Sequence, residues 1–220
     1  MLGRPRLQRR VAMRTTESTE SAQSTPKYAP TISLRAGVTS DSSYPTLSTR
    51  RFRFRPFALT DIGPLATLAG EHRVADTSIG IPHPYTMEFA RMWISSHSAA
   101  WEGRRALHWA ALKVGEERIM GYAGLSEIDM DRSQAEMRFW VGCGVERKSN
   151  AIEWSAAIVD FALTRLNLNR VYALQLARHP RSARILTSIG MQREGFVRKR
   201  IYKDGLSEDV VCWAIVRNDS

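Results

Sequence analysis

The sequence predicts an α/β (α+β) domain with the element order β-α-α-β-β-β-α-β-α-β-β. Three observations predict it. Apolar stripes at helical spacing alternate along the chain with shorter strand-like segments, three of those segments follow one another through tight polar turns, and no internal repeat interrupts the order. At 220 residues, with 43% hydrophobic and 25% charged residues, the chain has material for one sizeable core.

The elements follow in turn. Arg51-Phe52-Arg53-Phe54-Arg55-Pro56-Phe57 alternates in type, which places its aromatics on one strand face. Thr60 is positioned to cap a short helix reaching to about His72, and Gly80-Ile81-Pro82-His83-Pro84-Tyr85 is a loop by its glycine and prolines. Thr86 caps a helix whose Phe89, Met92, Trp93 and Ser96 share a face. Leu107 to Lys113, Ile119 to Ile128 and Gln134 to Val141 read as an antiparallel meander, turning at Gly115-Glu116-Glu117 and again between Asp129 and Ser133. From Asn150 to Leu166, Ala151, Trp154, Ser155, Ile158, Ala162 and Leu166 form one helical stripe. Arg170 to Leu176 is a strand, Pro180 to Ile189 a short helix, and Phe196 to Tyr202 with Asp209 to Val216 a closing hairpin around Lys203-Asp204-Gly205.

Residues 1–48 read differently. They hold 15 Ser/Thr and few large apolar groups, and so bury too little to offset the entropy of ordering; the sequence predicts a disordered basic tail followed by one domain over residues 51–216. Arg4, Arg6, Arg9, Arg10 and Arg14, with no acid before Glu17, have the composition of an organellar targeting peptide, though a plain N-terminal extension is the simpler reading. The apolar stretch of a secretory signal is missing. The net charge of +10 serves solubility, or attraction to an anionic partner such as a phosphate-rich cofactor. No Lys/Arg stripe is interleaved with aromatics, which argues against nucleic acid, and no apolar run approaches a membrane span. Cys143 and Cys212 show no paired or metal-like spacing and the five histidines no ligand spacing, so a metal-free cytoplasmic protein is expected.

Several stretches carry a resemblance. Arg55-Pro56-Phe57 with Thr60-Asp61, Ile81 to Thr86, Ala135 to Gly142, Asn167 to Val171, Ala177 to Leu186, and Ile189-Gly190-Met191 with Glu194-Gly195 resemble, in order and spacing, the RimJ/RimL-like branch of the GNAT N-acetyltransferases. The resemblance covers Phe52 to Val216 and implies a mixed, mostly antiparallel central sheet flanked by helices. It also implies acetyl transfer from acetyl-CoA to a primary amine, a protein N-terminus or a small amine, by direct attack. Such chemistry needs backbone N–H donors for the thioester and a helix start for the pyrophosphate.

By that resemblance, Phe139, Trp140 and Val141 line the pantetheine arm, and residues 146–151 form the pyrophosphate loop. The loop departs from the family pattern of Gly-x-Gly, an aromatic, then Ala-x-Glu. Ala151 and Glu153 are kept, Arg147 and Ser149 replace the glycines, and Asn150 stands where an aromatic is usual. Glycine admits φ > 0 and close approach to phosphate, and a side chain forced there costs about 1–2 kcal/mol per residue. Either Arg147 and Lys148 replace lost N–H contacts with charge-assisted ones and binding weakens, or the domain is a degenerate, non-catalytic binding module with impaired coenzyme A binding. The tryptophans at 93, 101, 109, 140, 154 and 213 are most simply core fillers, yet the bulk of Trp154, where the family has a small residue, is a second sign of altered binding.

Glu136 falls on the family's central strand, where a carboxylate takes the proton from the amine; the plain alternative is a strand carboxylate paired with Arg138. Ser182 matches a serine near the departing thiolate, or simply occupies the first turn of its helix. His179, in place of an asparagine that contacts pantetheine, is expected to cap the helix at Pro180. His83 and Tyr85 lie where the amine substrate enters, with core packing the simpler role for Tyr85.

Overall fold

The computed structural model describes residues 44–142 and 148–217. The residues divide into an eight-stranded sheet and six α-helices among the described residues: β1 (Leu47–Ser48), β2 (Phe52–Pro56), α1 (Ile62–Gly70), α2 (His72–Thr77), α3 (Met87–Ser95), α4 (His97–Glu102), β3 (Leu107–Lys113), β4 (Ile119–Asp129), β5 (Gln134–Val141), α5 (Lys148–Thr164), β6 (Arg170–Leu176), α6 (Pro180–Ser188), β7 (Gln192–Lys203) and β8 (Leu206–Val216). A 3-10 turn at Leu59–Asp61 precedes α1.

The sheet runs β1-β2-β3-β4-β5-β6-β8-β7. All its pairings are antiparallel except β5 with β6. That parallel pairing is short: Gln134, Ala135 and Glu136 face Arg170, Val171 and Tyr172, and beyond Glu136 the strands part. Each face of the sheet carries its own core. Phe52, Phe54, Trp109, Ala135 and Met137 pack with Trp154, Ile158 and Phe161 of α5, while Ala110, Leu112, Tyr122 and Trp140 pack with Leu65 of α1 and Ala90 and Ile94 of α3.

The expected strands β3, β5 and β6 have the predicted limits, and the alternation of Phe52 and Phe54 does bury both rings. Four readings need correction. Residues 44–48 belong with the sheet: Leu47 is buried in β1, the Trp109 indole donates to Pro45 O at 2.7 Å, and Tyr44 bonds the backbone of His108. The rest of the predicted tail lies outside the described residues. Thr60 caps nothing; Asp61 accepts from the backbone N–H of Ala58 at 2.8 Å and takes a forked pair of bonds from Arg55, because a carboxylate holds both partners at once. Thr86 does cap α3, accepting from Phe89 N at 3.1 Å, but the buried face of that helix is Ala90 and Ile94, and Met92 is exposed. The segments α2 and α4 are helical turns that the sequence left unassigned. Trp154 points into the core, as its place on the helical stripe predicts: its ring meets Phe52 and Phe54 edge-on at 5.5 and 6.0 Å.

Candidate active site

Where β5 and β6 part, a cavity of about 570 Å³ opens and continues across the sheet to the α1–α3 face. The volume suits a small-molecule site. Phe139, Trp140 and Val141 line it from one strand and Leu174, Gln175 and Leu176 from the other. The backbone of β5 keeps its bonds to β4 through Val141, so its opposite edge faces the gap beyond Glu136. Lys148 and Ala151 of α5 and Arg181, Ser182 and Arg184 of α6 complete this half.

The other half lies under α1–α3 and is lined by Tyr85, Phe89, Trp93, His108, Tyr122, Ser126, Glu136 and Arg138. Alternation along β5 puts Glu136, Arg138 and Trp140 on one face, beside Ser126, Gly124 and Tyr122 of β4 in register. Glu136 is 3% exposed and accepts from Arg138 Nη2 at 2.7 Å. Burial opposes the charge on Arg138, and the neighbouring carboxylate more than offsets it, holding the guanidinium above its usual value.

Neutral rings line the wall beside that pair. Tyr122 reaches His108 Nδ1 at 3.0 Å, and burial pushes the Tyr122 phenol up. Burial, with the charge of Arg138 behind it, lowers His108 to about 4. His97, under the same aromatic cluster, is lowered by burial to about 3. Burial also raises Tyr85 to about 12, so these groups are neutral imidazoles and phenols at pH 7.

The predicted site residues thus sort themselves. Glu136, Ser182, Phe139, Trp140, Val141, Lys148, Ala151 and Tyr85 line the one cavity. Four do not. Ser149 is exposed and gives its carbonyl to Arg51 Nη2, and Asn150 is buried with its side-chain oxygen accepting from Arg51 Nη1 at 3.2 Å; neither is part of the lining. His83 is exposed and packs its ring against His72 at 5.6 Å. His179 makes no side-chain cap; its Nε2 stands 3.4 Å from Asp76, because α2 brings that carboxylate to the start of α6. Arg147 lies outside the described residues.

Sequence reading missed the groups that position the site. Glu153, noted only as a kept motif residue, accepts from the Thr49 hydroxyl at 2.5 Å, from Arg51 N at 3.2 Å and from Arg51 Nε at 2.7 Å, tying the start of α5 to β2. Gln175 accepts from the Trp213 indole at 2.8 Å and donates to His179 O at 2.9 Å, fixing the turn that aims Ser182. Arg178 bridges Glu208 and Asp76 at 2.8 and 2.7 Å, and the buried Lys203 donates to Ile81 O at 3.0 Å, holding the α2–α3 loop over the cavity. A strand-end carboxylate or amide has no periodic signal; only the fold reveals its partners.

A sheet that parts between two parallel strands, with one helix starting at the gap and acceptor-side helices on the opposite face, defines the acyltransferase architecture expected from the resemblance. The chain belongs to the acetyltransferase (GNAT) domain family, whose profile matches residues 51–192. Among its relatives, the probable N-acetyltransferase YjcK of Bacillus subtilis is 27% identical over 75% of this chain and 93% of its own length. Ribosomal-protein-S5-alanine acetyltransferase from Vibrio fischeri superposes with a TM-score of 0.69 at 18% identity, covering 79% of this chain and 97% of that one. Spermidine N-acetyltransferase from Vibrio cholerae, solved with CoA and spermine, gives 0.66 at 16% identity over 75% and 95%. The protein is an N-acetyltransferase. Among the described residues, no His/Cys/Asp/Glu group is placed to hold a metal ion, and no helix is long and apolar enough to cross a membrane.

Proposed function

We propose that this chain transfers the acetyl group of acetyl-CoA to a primary amine by direct attack, with Glu136 receiving the amine proton. The observation that carries the reading is the gap beyond Glu136, which joins an unpaired strand edge to a buried carboxylate through one cavity. The lining fits the donor. The free backbone edge at Phe139 to Val141 suits the amide-rich pantetheine arm, and Lys148, Arg181 and Arg184 suit phosphate. Bound there, acetyl-CoA supplies an activated acyl group. Ser182, in the first turn of α6, stands on the donor side as the hydroxyl available to the leaving sulfur. The acceptor enters beneath Tyr85 and Phe89, and its ammonium gives a proton to Glu136 either directly or across one water.

Calorimetric titration with coenzyme A tests the reading: binding below millimolar is expected, and none at millimolar ligand overturns it. In that event, creation of binding by Arg147→Gly with Ser149→Gly identifies the domain as a non-catalytic relative with a degenerate loop. Where binding holds, Glu136→Gln keeps an acceptor for Arg138 and is expected to lower kcat about a hundredfold to ten-thousandfold while leaving coenzyme A affinity in place.

A further inference from the structure

We infer that the acceptor is a small amine bearing its own carboxylate, of the α-amino acid type, with Arg138 taking that carboxylate beside Glu136. This inference rests on the acetyl-transfer reading and names its substrate class.

The lining charges carry it. Glu136 is the single carboxylate among the described lining residues, and a guanidinium already engages it at 2.7 Å. A polyamine needs several carboxylates along its path, and this cavity offers none beyond Glu136. A peptide N-terminus places an amide where the second charge stands here. Arg138 has donor capacity to spare: among the described residues Glu136 engages it through Nη2, and the side chain is 36% exposed where it lines the cavity. A Cβ on Gly80 would stand 3.5 Å from Nη1, so the α2–α3 loop passes directly over the guanidinium and a side chain there would crowd it.

The geometry favours a zwitterion. In an α-amino acid the ammonium and carboxylate sit on one carbon, and the Glu136 and Arg138 heads are likewise adjacent, so the two pairs of opposite charge meet as a four-membered array. Each ligand charge then faces its complement, and neither protein charge is left buried alone. Ser126 adds a hydroxyl opposite Glu136 in the strand register, buried and without a partner among the described residues. Tyr85, Phe89, Trp93, His108 and Tyr122 supply an aromatic surface that takes an apolar side chain, and Arg73 also lines the cavity.

Matched acceptors test this. Methionine against methioninamide and leucine against leucinamide are compared by release of free thiol from acetyl-CoA, with spermidine and a neutral dipeptide alongside. Each acid is expected to exceed its amide by about tenfold to a hundredfold in kcat/KM, the worth of one charge-assisted contact. In Arg138→Gln the acid-to-amide ratio is expected to fall to near one, and in Arg138→Lys, which keeps charge without the planar fork, to an intermediate value. Amides, spermidine or the dipeptide matching the acids in the natural protein overturns the inference while leaving acetyl transfer standing. If no amine is acetylated, the transfer reading falls, and calorimetry of the acid and amide into the coenzyme A-loaded protein decides the inference separately: tighter acid binding supports it, equal binding refutes it.

Discussion

Trp154 packs against Gly121. A Cβ on Gly121 would stand 3.0 Å from Trp154 Cζ3 and 2.3 Å from Trp140 O, so the bare backbone of β4 is what admits the indole. The ring is the core filler that its place on the α5 stripe predicts, fully buried and no part of the cavity lining, although its bulk beside the cofactor loop suggested altered binding. Trp154→Ala is therefore expected to cost about 3–5 kcal/mol, lowering Tm by roughly 6–20 °C, with little change in coenzyme A affinity measured well below the transition. Thermal melts and titration check both halves. Loss of affinity with an unchanged Tm would return the indole to the cofactor site.

Trp154 also shows what sequence alone can and cannot carry. The strands β3, β5 and β6 are legible because apolar runs bounded by turn residues have few other ways to be buried. Leu47 is not, because one leucine among serines and threonines has no period, and only pairing with Phe54 makes β1 a strand. The inward face of α3 is misread because Met92 is apolar, yet the sheet meets Ala90 and Ile94. Glu136 is legible through its place on a recognisable strand. The partner of Asn150 is Arg51, 99 positions earlier, and no local pattern records that contact.

Glu153 supports the donor half through distance rather than touch. It satisfies Thr49 Oγ1, Arg51 N and Arg51 Nε together, at 2.5, 3.2 and 2.7 Å. The guanidinium is 37% exposed and its ion pair is screened, so the two other bonds carry most of the value. Glu153→Ala is expected to cost about 1–3 kcal/mol and, by loosening the first turn of α5, to raise the KM for acetyl-CoA more than it lowers kcat. Steady-state kinetics with each substrate varied in turn measures the split. An unchanged KM for acetyl-CoA would confine Glu153 to stability.

On the acceptor side the sensitive glycine is Gly124. A Cβ there would lie 2.5 Å from Leu107 O and 2.5 Å from Tyr122 Oη, and the first of these is backbone that cannot swing aside. Gly124→Ala is expected to cost about 1–3 kcal/mol, to push the Tyr122 hydroxyl off His108 Nδ1, and to raise the acceptor KM while sparing coenzyme A binding. Gly63→Ala is the contrast. Nothing lies within 4 Å of its Cβ, it sits in α1, and helix propensity predicts a gain of up to about 1 kcal/mol. Paired melts of the two variants should move in opposite directions.

His97 makes stability depend on acid. Its ring packs on Trp93 at 4.3 Å, His108 at 4.4 Å and Phe57 at 5.7 Å, and neither ring nitrogen has a hydrogen-bond partner among the described residues. Burial holds His97 down to about 3 and His108 to about 4, against a value near 6.5 in the unfolded chain. Below pH 6.5 the unfolded chain therefore takes up protons that the folded chain refuses, and stability falls as pH drops. The loss continues to about pH 4 for His108 and about pH 3 for His97, at roughly 1.4 kcal/mol per pH unit for each. Between pH 6.5 and about 5 the carboxylates remain ionised, so the imidazoles dominate the slope there. Denaturant melts over that window are expected to show the natural protein losing stability about twice as steeply as His97→Leu. The substitution also removes two buried nitrogens without partners, so it should hold or raise stability at pH 7. Equal slopes in the two proteins would mean that His97 takes up its proton in the folded state as readily as in the unfolded one.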